Sequence, residues 1–374
     1  MPVSLIVGPP NSGRAGEVIS RLRGVADREP VLVVPTGQDA ARFERDLCRG
    51  GRTSIGITIN TFAWLFDDLA ERLGIRSGAT LSNPERLALI RMAISSTPLR
   101  ALRRSAAQPG FAPALDALIA ELGGALVTPS DLAREAELLE DGRLEGELAA
   151  LAGAYAALRD RTRRSDAGSL AAAVLRELGS HPDALAGRPL FVYGFDDLTL
   201  AQRELLTELS STTEVTVAVN YEDRLALAAR AGLVSQLTEE IGVADELRLP
   251  HDDAYSASAI LVHLDRNLFN AGASREAPDD GLVLIESAGE RGEAEAMAIE
   301  IATLLAEGVA PDDILIVLRR PAASGPLVAA VLAEYGIPAA LDAAIPLRET
   351  GVGRSLLALC RAAGPDGNAT DVLA

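Results

Sequence analysis

The chain has 374 residues, 48% hydrophobic and 3% aromatic, so two or three domains with cores of Leu, Val, Ile and Ala are expected. A formal charge of −18 and a pI near 4.7 exclude a generally basic nucleic-acid binder, because the global field repels phosphates. No signal-peptide pattern and no apolar run of membrane-spanning length occur, which predicts a soluble cytoplasmic protein.

Val3 to Val7 form a short apolar run, followed by Gly8-Pro9-Pro10-Asn11-Ser12-Gly13-Arg14-Ala15 and a helical pattern from Gly16. Strand, glycine-bounded loop and helix start are the parts of a phosphate-binding P-loop, whose pattern is G-x-x-x-x-G-K-S/T. Both glycines are correctly spaced, but Arg14 and Ala15 close the motif. Gly8, Ser12, Gly13 and Arg14 are the candidates for degenerate nucleotide binding, through backbone N–H groups at a helix N-terminus. Ala15 has no hydroxyl to hold magnesium. All 35 basic residues are arginine, so Arg14 also fits a chain-wide bias. The alternative for the whole loop is a tight strand-to-helix turn.

Helix is expected over Glu17–Leu22, strand over Pro30–Val34, helix over Asp39–Leu47 and strand over Ile55–Ile59, a β-α-β-α-β series that predicts a parallel sheet. From Phe62 to about Leu185 only helices are expected. Ser82-Asn83-Pro84-Glu85 is a capping box, Thr128-Pro129-Ser130-Asp131 opens another helix, and Leu144–Leu158 and Leu170–Leu178 follow. Strand behaviour resumes at Pro189–Tyr193, with a helix from Thr199 and a strand over Val215–Val219. Residues 250–280 form a helix and a polar connector. Beyond it a second α/β unit is expected, with strands at Leu282–Glu286, Ile314–Leu318 and after Pro338, and helices at Glu293–Leu305, Leu327–Tyr335 and Leu356–Arg361. With so few strands before Ala374, the chain reads as a fragment ending in mid-domain.

The fold class expected is therefore α/β: a P-loop, RecA-like parallel-sheet domain split by an all-helical insertion, then a truncated second RecA-like domain. The boundaries are 1–75 and 187–275 for the first domain, 76–186 for the insertion, 276–345 for the partial second domain and 346–374 for the start of a further helical insertion.

Several stretches resemble a superfamily 1 helicase core. Val31-Leu32-Val33-Val34-Pro35-Thr36 resembles its strand and turn after the first helix, and Thr61-Phe62-Ala63-Trp64-Leu65 its single-strand-contacting motif. Val192-Tyr193-Gly194-Phe195-Asp196-Asp197-Leu198-Thr199-Leu200-Ala201-Gln202 stands where an active helicase reads V-D-E-F-Q-D-T-x-x-x-Q. Tyr193 then occupies the metal-binding Asp position and Gly194 the catalytic Glu position. This stretch, with Glu293–Arg319 and Tyr335-Gly336-Ile337-Pro338, is similar to the AddB-type subunit of bacterial ATP-dependent helicase–deoxyribonucleases. The resemblance implies double-strand break processing in a heterodimer with an AddA-type subunit. It also implies a C-terminal PD-(D/E)XK nuclease and an iron–sulfur cluster, both beyond residue 374. The role implied for this portion is a non-catalytic, DNA-binding scaffold that needs no cofactor of its own and binds ATP weakly at most. Two alternatives stay open: an active ATPase whose lost carboxylate comes from Asp196, and an interaction module without a nucleic-acid role, for which the −18 charge argues.

Candidate contacts to single-stranded or forked DNA are Thr61, Phe62 and Trp64, by base stacking, and the arginines of two dense clusters. These are Arg100, Arg103 and Arg104, and the group at 159–164, from which Arg161, Arg163 and Arg164 are taken. Arg319, before Arg320, is a further candidate, with a salt bridge to Asp312 or Asp313 as its alternative. Core packing is the alternative for the aromatics, and solvated ion-paired faces for the clusters. Asp196 and Asp197 precede a helix, where its dipole favours negative charge, and Thr199 with Gln202 makes a capping box. Cys48 and Cys360 fit no disulfide or zinc spacing and are expected as small buried apolar residues. His181, His251 and His263 suggest neither a metal site nor a triad.

Overall fold

A computed structural model describes residues 3–48, 55–75, 78–181, 183–343 and 346–364. The chain divides into two compact units, one of residues 1–257 with 262–275, the other of 258–261 with 276–374.

In the first unit the expected alternation produces β1 (Val3–Gly8), α1 (Arg14–Gly24), β2 (Val31–Val33), α2 (Gly37–Cys48) and β3 (Thr58–Asn60). Seven helices follow: α3 (Phe62–Arg72), α4 (Asn83–Ser96), α5 (Arg103–Ala106), α6 (Phe111–Gly124), α7 (Pro129–Glu137), α8 (Arg143–Thr162) and α9 (Ala167–Leu178). Then come β4 (Leu190–Tyr193), α10 (Leu200–Ser210), β5 (Val215–Asn220), α11 (Ala231–Gln236), β6 (Val243–Arg248) and α12 (Ala259–Asn267). The six strands form one sheet in the order β3-β2-β4-β5-β1-β6, every pair parallel, an architecture consistent with a RecA-like α/β fold.

Alternation along each strand decides which helices cover which face. Val3, Leu5 and Val7 of β1 join Val31, Val33, Leu190, Val192 and Val217 in a core closed by α3, α9 and α10. Ile6, Leu32, Phe191 and Ala218 point to the other face, against Val18 and Leu22 of α1 and Phe43 of α2. β6 was not foreseen. Its sequence Val-Ala-Asp-Glu-Leu-Arg lacks an apolar run, and it pairs only with β1, where an edge strand tolerates charge. Helices α4, α6 and α8 share a separate core built on Ile90, Leu115, Leu151 and Tyr155.

The capping boxes read from the sequence at Ser82 and Thr199 are present, and the helix start read at Thr128 proves to be a capping box as well. A fourth, at Asp166, carries more. Its carboxylate accepts the Ser169 N–H (2.8 Å) and the Tyr155 hydroxyl (2.8 Å), and pairs with Arg159 (3.2 Å).

The second unit departs from expectation. Its helices are α13 (Gly289–Ala306), α14 (Pro321–Glu334) and α15 (Gly351–Ala362). Ala294, Ala298 and Ile301 of α13 pack on Val328, Val331 and Leu332 of α14. None of its three expected strands pairs among the described residues. Leu284 is 85% exposed and Leu315 84%. Their composition suits a strand, but a strand forms only where a neighbour accepts its ladder. The stretch 365–374 lies outside the described residues. Cys48 and Cys360 are exposed rather than buried. Each sits on a helix whose inward face is taken by a neighbour, Leu47 in α2 and Ala358 in α15.

Candidate functional site

Parallel pairing brings the C-terminal ends of β4, β5 and β1 side by side, where ligands of open α/β sheets bind. The glycine-bounded loop leaves β1 there. Asn11 (φ 61°) and Gly13 (φ 80°) take left-handed conformations, and the Gly13 carbonyl accepts the Glu17 N–H at 3.0 Å as α1 begins. The Ser12 side chain folds back over Gly8, so a Cβ on Gly8 would meet Oγ at 2.4 Å. Arg14 Nε donates to that same Oγ at 3.3 Å. Burial lowers the pKa of the Arg14 guanidinium; Tyr193 opposes the shift and the charge of Arg230 adds to it. Ala15 packs against the α1–α2 side of the sheet.

At the end of β4, the Tyr193 ring meets Phe43 edge-on, centroids 5.0 Å apart. Gly194 has φ 89°, and a Cβ there would lie 3.2 Å from Pro35 Cδ. Both the backbone conformation and Pro35 therefore oppose a side chain at position 194. Asp196 pairs with Arg230 (Nε–Oδ1 2.7 Å), which ends a 3₁₀ turn (Leu225–Arg230) after β5. Sequence reading missed Arg230, since no motif contains it and only the sheet order brings it to Arg14 and Asp196. Asp197 accepts the Leu198 N–H at 2.8 Å, and Gln202 Oε1 accepts the Thr199 N–H at 2.9 Å. Asn220, paired in register with Gly8, has a buried Oδ1 with no hydrogen-bond partner among the described residues. No group of three His, Cys, Asp or Glu side chains among the described residues is placed to hold a metal.

The other candidates fall into two classes. Thr61 caps α3 by accepting the Trp64 N–H, and Trp64 is half-buried against the sheet core. Phe62 is 5% exposed and meets Phe195 edge-on at 5.1 Å, so its ring is core and presents no stacking surface. Arg164 is not free for DNA either: it pairs with Glu85 and donates to the Ala79 and Thr80 carbonyls. Arg100, Arg103, Arg104, Arg161, Arg163 and Arg319 are exposed and have no ion-pair partner among the described residues. Arg319 makes neither of the salt bridges considered for it.

The sequence profile of the family described as "ADDB, N-terminal" matches residues 5–232. A protein of Desulforudis audaxviator, named as the B subunit of an ATP-dependent helicase/deoxyribonuclease, is 30% identical over 67% of this chain and 23% of its own length. Proteins of the same name from Pelotomaculum thermopropionicum and Symbiobacterium thermophilum are each 26% identical, over 93% and 96% of this chain and 33% of their own lengths. The chain thus spans a third or less of these relatives.

Proposed function

We propose that this chain, which belongs to the ADDB N-terminal family, is a DNA-binding, non-hydrolysing helicase-like scaffold of a helicase–nuclease complex in double-strand break repair. One observation carries the reading. Where phosphoryl transfer on a P-loop needs a magnesium-holding hydroxyl and strand carboxylates, this chain has Ala15, Tyr193 and Gly194, each tied into packing or backbone geometry. In this reading 1–75 and 187–275 make one motor-like domain, 76–186 is inserted into it, 276–345 begins a second such domain, and 346–374 opens a further helical insertion. Gly8, Ser12, Gly13 and Arg14 retain weak ATP binding at most, and no cofactor is required. The partner is an AddA-type subunit, the ligand single-stranded or forked DNA, and the compartment the cytoplasm. No single helix among the described residues is long and apolar enough to cross a membrane, in keeping with that assignment. The competing reading, an ATPase rescued by Asp196, is disfavoured by the engagement of Asp196 with Arg230.

The test is ATP turnover by the full chain with magnesium, with and without forked DNA. No DNA-stimulated turnover is expected. Turnover that disappears in Arg14→Ala would overturn the proposal, and failure to bind forked DNA would leave the interaction-module reading instead.

A further inference from the structure

The helices between β3 and β4 consume some of their arginines and leave others free. Arg86 grips Asp116 through two bonds (3.0 and 2.9 Å), Arg159 is held by Asp160 and Asp166, and Arg164 by Glu85. Arg91, Arg103, Arg104, Arg161 and Arg163 are exposed, without a side-chain partner among the described residues, and Arg100 is exposed with a charge interaction with Glu147.

The free set is ordered in space. Glu147 of α8 accepts the backbone N–H groups of Arg100 (2.7 Å), Ala101 (2.9 Å) and Leu102 (2.9 Å), which pins one end of the set to the start of α8. Arg161 lies fourteen residues further along α8, about 21 Å up the axis and within roughly 40° of the same side. At that end Arg164 meets Glu85, in the first turn of α4. From there α4 runs back to Thr97, just before the Glu147 contact, so it lies antiparallel to α8.

In a chain of net charge −18, exposed arginines without carboxylate partners form the local basic footprint that binding a nucleic-acid backbone requires. The absence of lysine strips the choice of arginine of meaning; placement carries the argument.

We propose that these arginines form a seat for a nucleic-acid backbone along α8, running from Arg161 and Arg163 at its C-terminal end to Arg100, Arg103 and Arg104 beside its start. It rests on the DNA-scaffold reading and gives that reading an address. Arg164 and Phe62 are outside the seat, although the sequence alone groups them with it.

The experiment uses the full chain and fluorescently labelled forked DNA, with affinity measured between 50 and 200 mM salt. Five contacts to single-strand phosphates predict a log–log salt slope of about −3.5, or roughly 130-fold weaker binding across that range. The double variant Arg161→Gln/Arg163→Gln should flatten the slope by about 1.4, and Arg100→Gln/Arg103→Gln/Arg104→Gln by about 2, with melting temperatures unchanged. Arg164→Gln should lower the melting temperature and leave the slope alone. Wild-type slopes in both multiple variants would overturn the seat while the scaffold reading stands. A wild-type chain that fails to bind at 50 mM salt would overturn both.

Discussion

Replacing Gly194 by glutamate would install the residue that the resemblance to a helicase core places at this point. The structure predicts that it fails. Gly194 has φ 89°, a conformation that costs an L-residue about 1–2 kcal/mol. Its Cβ would stand 3.2 Å from Cδ of Pro35, a ring atom that cannot swing aside like the end of a flexible chain. Together these give a destabilisation of about 2–3 kcal/mol. For a unit of this size each kcal/mol shifts the melting temperature by about 2–4 °C, so a loss of roughly 4–12 °C is expected in thermal unfolding followed by circular dichroism. Gly194→Ala should lose nearly as much, because the penalty begins at Cβ. Gly16→Ala should hold or gain, since Gly16 sits in α1 with ordinary φ and open space around its Cβ position. The triple variant Ala15→Ser/Tyr193→Asp/Gly194→Glu should still show no magnesium-dependent ATP hydrolysis. A Gly194→Glu chain as stable as wild type, or hydrolysis recovered in the triple variant, would refute the backbone argument.

Two further outcomes concern the helices between β3 and β4. Asp166→Ala removes a helix cap, a Tyr155 hydrogen bond and the partner of a largely buried Arg159, and should cost about 3–5 kcal/mol in urea unfolding; Asp166→Asn should cost less. Acidification should loosen the same block. Hydrogen bonds from Arg164 and Ser82 pull the Glu85 pKa down to about 2. Burial alone would raise that of Asp166, but the Ser169 N–H and the charge of Arg159 outweigh it and the net shift is downward. Because both folded-state values are depressed, this stabilisation is complete above the ordinary carboxylate range of about 4–4.5 and is lost as pH falls through it toward 2. The urea midpoint should hold from pH 7 to 5 and drop by pH 3; an unchanged midpoint at pH 3 would contradict the assignment.

Much of the fold was legible from local signals. Val31–Val33 and Val215–Asn220 are apolar runs bounded by turn residues, and the boxes at Ser82, Thr128 and Thr199 stand where their side chains can reach their own backbone. β6 was not legible, because an edge strand beside β1 needs no apolar run. Strand-like residues at Leu282–Glu286 misled in the opposite sense, since pairing is a property of neighbours. In the candidate site, Ala15, Tyr193 and Gly194 could be read as lost chemistry, whereas the positive φ at Gly194 and the approach of Arg230 could not. The 159–164 arginines look alike in sequence; ion-pair geometry alone separates Arg159 and Arg164 from Arg161 and Arg163.

Sequence by itself determined the chemistry on offer: a glycine-bounded loop without a magnesium hydroxyl, helix starts with their caps, strands with their period, and an acidic chain whose cations are all arginine. Those depend on residues a few positions apart, which interact in any compact state. Tertiary structure decided which of these groups are spent and which are free. It closed Phe62 against Phe195, bound Asp196 to Arg230, and left Arg161 and Arg163 exposed without a side-chain partner among the described residues. Burial and pairing are set by elements far apart in the chain, and no local pattern encodes who the neighbour will be.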